Sequence, residues 1–497
     1  MKESTVSPSS PTEELLETIR SGPVGDKVAA VFDFDGTLID GYSAAALYEH
    51  RFRNFEIGPT EMLRTARLML GPTMSEEQFT ELVEGGMAGW AGRTEEDVLE
   101  LGERLFAQGV AGTLFHQAWR LVKAHQRAGH TVVIATSATL LQVAPLAREL
   151  GVEHVLCTRL ETENGLLTGK VAGRALWGDG KIAAVLEFLA EHNIDASASH
   201  AYANGDEDVP LLAGVGNPHP VNPQPELARE ARRRGWPVLA FQSGKTGRFD
   251  PTPALRTATM FGTLFASSAM GIAVGVLNGN RRQGVDLATS MFDALAGPLA
   301  DIDIEVVGEH NAWSHRPAVF FINHQSTLID FLVTTRVIRT GFTAVAKAEV
   351  KSMPIIGQLF DAAGVAFLDR SNRAKAIEAL EPAVQKLRDG TSVIMAPEGT
   401  RSLTPRIGQF KKGGFHLARQ AGVPIVPIVI RNSGEIMWRN AKTARAGTIQ
   451  VAVLPPVPTD GWTDKDLDDQ VERVRQQYLD TLDDWPAALS TPRDQDN

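Results

Sequence analysis

Asp33 and Asp35, in the run Asp33-Phe34-Asp35-Gly36-Thr37, stand two residues apart at the end of an apolar stretch. In an extended strand that spacing sends both carboxylates to one side, where one can attack an electrophile while the other handles the proton. A second polar run, Asn204-Gly205-Asp206-Glu207-Asp208, offers oxygen ligands for a hard ion such as Mg²⁺. Far downstream, His324 of Asn323-His324-Gln325-Ser326 can take the proton of a hydroxyl, and Asp330 is the nearest following carboxylate able to hold its other ring nitrogen. Arg370 and Arg401, in loops that follow strands, can each offer a planar fork to a phosphate. Singly, each has an ordinary use: Asp suits turns, His is a common structural polar residue. Their grouping and order are what point to chemistry.

The elements that would position these residues follow from hydrophobic patterning. Val28 to Phe34 reads as a buried strand ending in a turn, Thr131 to Ala135 and His200 to Ala203 as further strands, and the stretch from about 43 to 126 as a helical insertion above a sheet. Strand and helix alternate as far as Trp236 to Ala240, the pattern of a parallel α/β sheet. Composition changes to Gly, Lys, Thr, Pro and Asp over 243–253, which marks a boundary. Beyond it, strands are expected at Ile302–Val307, Ala318–Ile322, Thr343–Ala346, Val365–Leu368, Ser392–Ala396, Ile425–Ile430 and Thr448–Leu454. This predicts two α/β domains, at about 26–242 and 301–486, with flexible tails at 1–25 and 487–497.

With 497 residues, 43% hydrophobic and 22% charged, the chain can bury more than one core. A formal charge of −11 argues against a general nucleic-acid binder. Cys157 is the only cysteine, which excludes an intrachain disulfide and fits a reducing compartment. Thr257 to Asn280 carries no charged residue but is diluted by Gly and Ser, so it reads as a spanning, an interfacial or a buried helix, with membrane contact favoured, and 254–300 is expected to be an apolar membrane-associating segment ahead of the second domain.

Across roughly Val28 to Phe241 the motifs resemble the haloacid dehalogenase superfamily of phosphohydrolases, in the branch that contains phosphoserine phosphatase. The resemblance implies a Rossmann-like domain with a helical cap, Asp33 as nucleophile, Asp35 as general acid and base, Ser137 on the phosphoryl oxygens, Lys181 steadying charge, and Mg²⁺ held by Asp33, Asp35, Asn204 and Asp208. Asn204 departs from the pattern, because relatives place an aspartate there. An amide is a weaker Mg²⁺ ligand, and a shifted register would bring Asp206 instead.

Across roughly Ile304 to Leu454 four blocks resemble the lysophosphatidic acid acyltransferases: Asn323 to Ser326, Lys347 to Arg370, Pro397-Glu398-Gly399-Thr400-Arg401-Ser402 with Phe410 to Gly413, and Val423 to Pro427. The resemblance implies His324 as base and Asp330 as its partner. Glu398, Gly399, Thr400, Arg401, Arg370 and Lys351 would bind the glycerol phosphate, without a cofactor. Here too there is a departure: five residues separate His324 from Asp330 where four are usual, and one extra residue turns a helical side chain by about 100°. On ordinary helical geometry Asp330 would swing away unless a loop absorbs the residue. The expectation is a phosphohydrolase fused to an acyltransferase at the cytoplasmic side of a membrane, moving an acyl group from acyl-CoA or acyl carrier protein to a lysophospholipid, lysophosphatidate first, to make phosphatidate; the alternative is a Mg²⁺-dependent phosphatase of phosphoserine or a lipid phosphate with the C-terminal half as membrane anchor.

Overall fold

The computed structural model describes residues 11–58, 74–242, 250–347, 351–352, 357–358, 364–368 and 380–485. The chain divides into two compact units, Met1–Arg248 and Phe249–Asn497. The expected tail at 487–497 and most of the 243–253 boundary lie outside the described residues.

In the first unit a five-stranded parallel sheet has the order β3-β2-β1-β6-β7, from β1 (Ala29–Phe32), β2 (Thr131–Thr139), β3 (His154–Thr158), β6 (His200–Ala203) and β7 (Asn217–Pro220). Every residue of β1 and β6 is buried, as expected where helices cover both faces. A separate antiparallel hairpin pairs β4 (Leu160–Glu163) with β5 (Leu166–Val171).

Three sequence expectations are corrected here. The supposed N-terminal tail contains a helix, α1 (Pro11–Ser21), with Leu16 and Ile19 buried; two apolar positions three residues apart suffice to dock one short helix. The cap is not the whole of 43–126. Among the described residues it comprises α2 (Ser43–Arg53), α3 (Glu76–Met87) and α4 (Glu95–Gln108) with the β4–β5 hairpin, sharing a cluster of Leu47, Met87, Trp90, Val98, Leu101 and Leu167. The following helix, α5 (His116–Arg127), instead packs on α1 and β2, because its face of Trp119, Leu121, Val122 and His125 is buried on the sheet side. Finally, Trp236 to Ala240 forms only a single bridge, Val221 to Leu239.

Four buried histidines meet in the core of this unit. His125 joins His130 through their Nδ1 atoms at 2.8 Å and Tyr202 Oη through Nε2 at 2.8 Å, while His200 Nδ1 meets His219 Nε2 at 3.1 Å.

In the second unit a seven-stranded mixed sheet runs β11-β10-β12-β9-β13-β14-β8. Its strands are β8 (Ile302–Val307), β9 (Val319–Ile322), β10 (Phe342–Lys347), β11 (Ala366–Leu368), β12 (Ser392–Met395), β13 (Ile425–Ile430) and β14 (Gly447–Val453). Only the β13–β14 pairing is antiparallel. The two-residue period divides β9 between two cores: Phe320 and Ile322 enter one, Val319 and Phe321 the other. Ahead of the sheet lie α6 (Thr252–Leu277) and α7 (Arg281–Leu299), packed as a hairpin. At their crossing Gly271 faces Gly284, and a Cβ on Gly271 would meet the Gly284 carbonyl oxygen at 2.3 Å.

Candidate active sites

The first candidate site forms at the carboxyl ends of β1 and β6, the usual ligand crevice of parallel sheets. Asp33 is buried, and its Oδ1 accepts from Lys181 Nζ at 3.0 Å; the same ammonium donates to Asp208 Oδ1 at 2.6 Å. Lys181 stands in the first turn of the helix Asp179–Glu191 and is itself 1% exposed. Burial pushes the Asp33 carboxyl up to about 7 against the pull of Lys181. The Lys181 ammonium is held above its ordinary range: burial opposes its charge, but the facing carboxylates of Asp208 and Asp33 outweigh that.

Asp35 is placed differently. Its Oδ1 accepts the Ser43 amide at 2.6 Å and its Oδ2 the Ser43 hydroxyl at 3.2 Å, and that hydroxyl also accepts from Gln142 Nε2 at 2.8 Å. Burial pushes Asp35 up to about 6, opposed by the two Ser43 donors, a poise suited to proton exchange. Ser137 lies within β2, toward its carboxyl end, rather than after the strand.

Asp208 Oδ2 is buried without a hydrogen-bond partner, and Asp33 commits one oxygen to Lys181. The amide of Asn204 lies against the Asp33–Thr37 turn, its Oδ1 accepting from Thr37 Oγ1 at 3.2 Å. Gly36, at φ +77°, leaves room for it, since a Cβ there would meet Asn204 Nδ2 at 2.2 Å. Asp33, Asp208 and the Asn204 amide oxygen fit Mg²⁺ by donor chemistry; both side-chain oxygens of Asp35 are taken by Ser43. Among the described residues no group of three or more His, Cys, Asp or Glu converges on one point. Asp206 is no substitute: its Oδ1 accepts the amides of Glu226 at 2.9 Å and Leu227 at 2.8 Å, capping the helix Pro225–Arg234.

The second candidate site lies where β9, β12 and β13 end. After β9 the chain makes one loop and enters the helix Thr327–Ile338 with Ser326 as N-cap. His324 Nδ1 meets Asp330 Oδ2 at 2.7 Å. The extra residue does not displace Asp330: His324 precedes the helix, so helical geometry does not govern the pair. Asp330, in the first turn, reaches back over the helix start and also accepts the amides of Gln325 at 3.0 Å and Ser326 at 2.9 Å. His324 Nε2 has no hydrogen-bond partner among the described residues, and the side chain is 25% exposed.

The neighbours of His324 are structural. Asn323 exchanges two hydrogen bonds of 2.7 Å with the main chain of Ile430, and Gln325 Oε1 accepts the Gly434 amide at 3.0 Å. Glu398, buried at the end of β12, accepts the His324 amide at 3.0 Å, the Ser402 hydroxyl at 2.8 Å and the Gly408 amide at 2.8 Å. Burial raises its carboxyl, opposed by these donors. Both oxygens face the protein, so among the described contacts Glu398 braces the loop and does not reach outward. Gly399, at φ +75°, makes the turn; Thr400 is exposed and Arg401 half-buried. Lys351 is exposed, and Arg370 lies outside the described residues. Sequence reasoning missed Ser43, Gln142 and Gly408, none of which stands in a motif; Ser402 stands in the block that begins at Pro397, without a role assigned there, and its hydroxyl donates to Glu398.

The haloacid dehalogenase-like hydrolase family matches residues 30–213, and the acyltransferase family matches residues 303–431. An uncharacterised acyltransferase of Schizosaccharomyces pombe is 34% identical over 45% of this chain and 82% of its own length. The chain belongs to the acyltransferase family. Ahead of its acyltransferase domain it carries a haloacid dehalogenase-like hydrolase domain. The 1-acyl-sn-glycerol-3-phosphate acyltransferase of Saccharomyces cerevisiae is 36% identical over 37% of this chain, which covers 61% of that relative's length. A solved 1-acyl-sn-glycerophosphate acyltransferase from Thermotoga maritima is 22% identical, with a TM-score of 0.41, over 48% of this chain and 98% of its own.

Proposed function

We propose that the acyltransferase domain moves an acyl group from acyl-CoA or an acyl carrier protein thioester to 1-acylglycerol 3-phosphate, making phosphatidate. The observation that carries this is the His324–Asp330 pair, 2.7 Å apart with Nε2 left for a substrate. Asp330 holds the proton on Nδ1, so Nε2 is the basic nitrogen. Nε2 takes the proton of the acceptor hydroxyl as its oxygen attacks the thioester carbonyl; the carbon–sulfur bond then breaks and the thiolate recovers that proton from His324. Arg401, beside the loop that holds His324, neutralises the acceptor phosphate, joined by Arg370 and Lys351; Glu398, Gly399 and Thr400 shape the turn that presents it.

The apolar hairpin supports action at a membrane surface. Its helix Thr252–Leu277 is long and apolar enough to cross a bilayer, but both its ends are tied to its own unit. Thr257 Oγ1 accepts the Ala444 amide at 2.7 Å, Arg256 pairs with Asp301 at 2.9 Å, and at the far turn Arg282 donates to Thr391. Met270, Ile272, Val276 and Leu277 remain exposed, an apolar face suited to lying in the interface on the cytoplasmic side.

The hydrolase domain would cleave a phosphate monoester, phosphoserine or a lipid phosphate among the candidates. Asp33 attacks phosphorus as Asp35 protonates the departing oxygen; Asp35 then takes a proton from the water that attacks the aspartyl phosphate, breaking its bond to Asp33 and releasing phosphate, while Lys181 with Ser137 holds the phosphoryl charge. Mg²⁺ bound by Asp33, Asp208 and Asn204 would add charge neutralisation.

Labelled acyl transfer from acyl-CoA to lysophosphatidate by the full-length protein in vesicles tests the main reading. Loss of transfer in both His324→Ala and Asp330→Ala is expected; transfer that survives His324→Ala, or none in the parent with any lysophospholipid and either donor, refutes it.

A further inference from the structure

Two arginines face each other beside the His324 loop with no carboxylate between them. Arg401 Nη1 donates to the carbonyl oxygen of Arg439 at 2.7 Å, and Arg439 Nη1 donates to the carbonyl oxygen of Arg401 at 2.6 Å. The second segment is clamped onto the first by Trp438 Nε1, which donates to the Leu403 carbonyl at 2.8 Å, and Ser402 fixes the first to the catalytic loop through its amide on the His324 carbonyl at 2.7 Å. Arg439 Nε is buried with no hydrogen-bond partner, and neither guanidinium forms an ion pair among the described residues.

A guanidinium is permanently charged. Two of them locked side by side repel, and burial together with Arg401 already disfavours the charge on Arg439. Carboxylates elsewhere in this unit find their arginines, as Asp301 does with Arg256 and Glu309 with Arg336 and Arg339. Glu398, one turn from Arg401, spends both oxygens on the protein instead. An anion with oxygens on more than one side can take an N–H from each fork and relieve the repulsion.

We infer that Arg439, which nothing above assigns, joins Arg401 in holding a phosphate dianion and is a further substrate-binding residue that sets preference for a phosphorylated substrate. The inference rests on the acyltransferase reading above for the source of the phosphate. That source is either the acceptor headgroup or the terminal phosphate of the CoA nucleotide, and the chemistry of the site is the same for both.

The test uses full-length protein and the variants Arg439→Gln and Arg439→Lys, with KM and kcat measured separately for lysophosphatidate and for acyl-CoA. In Arg439→Gln one of the two KM values rises about tenfold or more, as expected for loss of a charge-assisted contact, while kcat stays within about threefold. Arg439→Lys recovers only part of the loss, since an ammonium cannot reproduce the fork. A rise confined to lysophosphatidate assigns the dianion to the acceptor; a rise confined to acyl-CoA, absent with acyl carrier protein, assigns it to the donor. Both outcomes support the site, and two unchanged KM values overturn it. If the parent acylates no lysophospholipid, the reading of function falls, and the site is judged by thermal melting with inorganic phosphate. Stabilisation of the second unit that Arg439→Gln removes upholds it; stabilisation that persists, or none in the parent, overturns it. The hydrolase domain contributes equally to parent and variant and cancels in the comparison.

Discussion

Glu398 Oε1 accepts the main-chain amide of His324 at 3.0 Å, so the acid of the Glu398-Gly399-Thr400-Arg401 motif acts on the loop that carries the base. Truncation would leave three donors, the His324 and Gly408 amides and the Ser402 hydroxyl, without their acceptor. Glu398→Ala is expected to destabilise the second unit by about 2–4 kcal/mol and to lower kcat far more than it changes the acceptor KM. Urea unfolding beside initial-rate kinetics checks both. A variant that raises KM alone would instead place Glu398 on the substrate.

Asn204 offers a test in the opposite direction. Its amide oxygen accepts from Thr37 at 3.2 Å, a contact that a carboxylate keeps. Asn204→Asp adds one negative ligand, so the Mg²⁺ concentration for half-maximal hydrolysis of p-nitrophenyl phosphate should fall about tenfold. An unchanged Mg²⁺ dependence would remove residue 204 from the metal site.

The buried histidines make the first unit sensitive to acid. Burial holds the imidazoles of His200 and His219 down at about 4 and about 3, and that of His125 well below its ordinary value. Each is neutral when folded and protonated when unfolded between its folded pKa and about 6.5, so its stabilising share is complete above about 6.5 and is lost as pH falls. The slope is about 1.4 kcal/mol per pH unit for each histidine. Asp33, Asp35 and Glu207, raised by burial, give slopes of the opposite sign, present at low pH and lost as pH rises through their folded values. Comparison of variants isolates the histidines: His219→Gln should flatten urea-derived stability between pH 6 and 4 by about one such slope. Parallel curves for parent and variant would show that His219 is not buried neutral.

For the apolar hairpin, two substitutions separate packing from membrane contact. Gly271→Leu places atoms where the Gly284 carbonyl stands 2.3 Å from a bare Cβ, and should cost about 1–3 kcal/mol of stability. Ile272→Glu with Val276→Glu touches exposed positions only, so melting should hold while cosedimentation with anionic vesicles falls at least about tenfold. Undiminished cosedimentation would move the contact to another face.

Most strands were legible from patterning, and three match their expected limits: Ile425–Ile430 and His200–Ala203 as short buried runs, and Ile302–Val307, at the sheet edge, through the alternation of Ile302, Ile304 and Val306 with Asp303 and Glu305. β7 was not, since Asn217-Pro218-His219-Pro220 carries two prolines that local rules exclude from a strand. Helix α1 hid behind a polar composition, and α5 could not be parted from the cap, because periodicity tells that a helix has an apolar face and not which layer receives it. Within the sites, residue types and order were readable from the chain. The reach of Asp330 over a helix start, the inward turn of Glu398 and the nearness of Arg439 to Arg401 depend on loop paths, which spacing rules for regular helices do not describe.

Ser43, which supplies both donors to Asp35, is also the first residue of α2 in the cap. The insertion that would choose the substrate therefore also aims the acid, and the two properties cannot be inherited separately. A cap grafted from another hydrolase would misdirect proton transfer unless it brought a matching donor at its first residue, so recombination among such domains is constrained at that single seam.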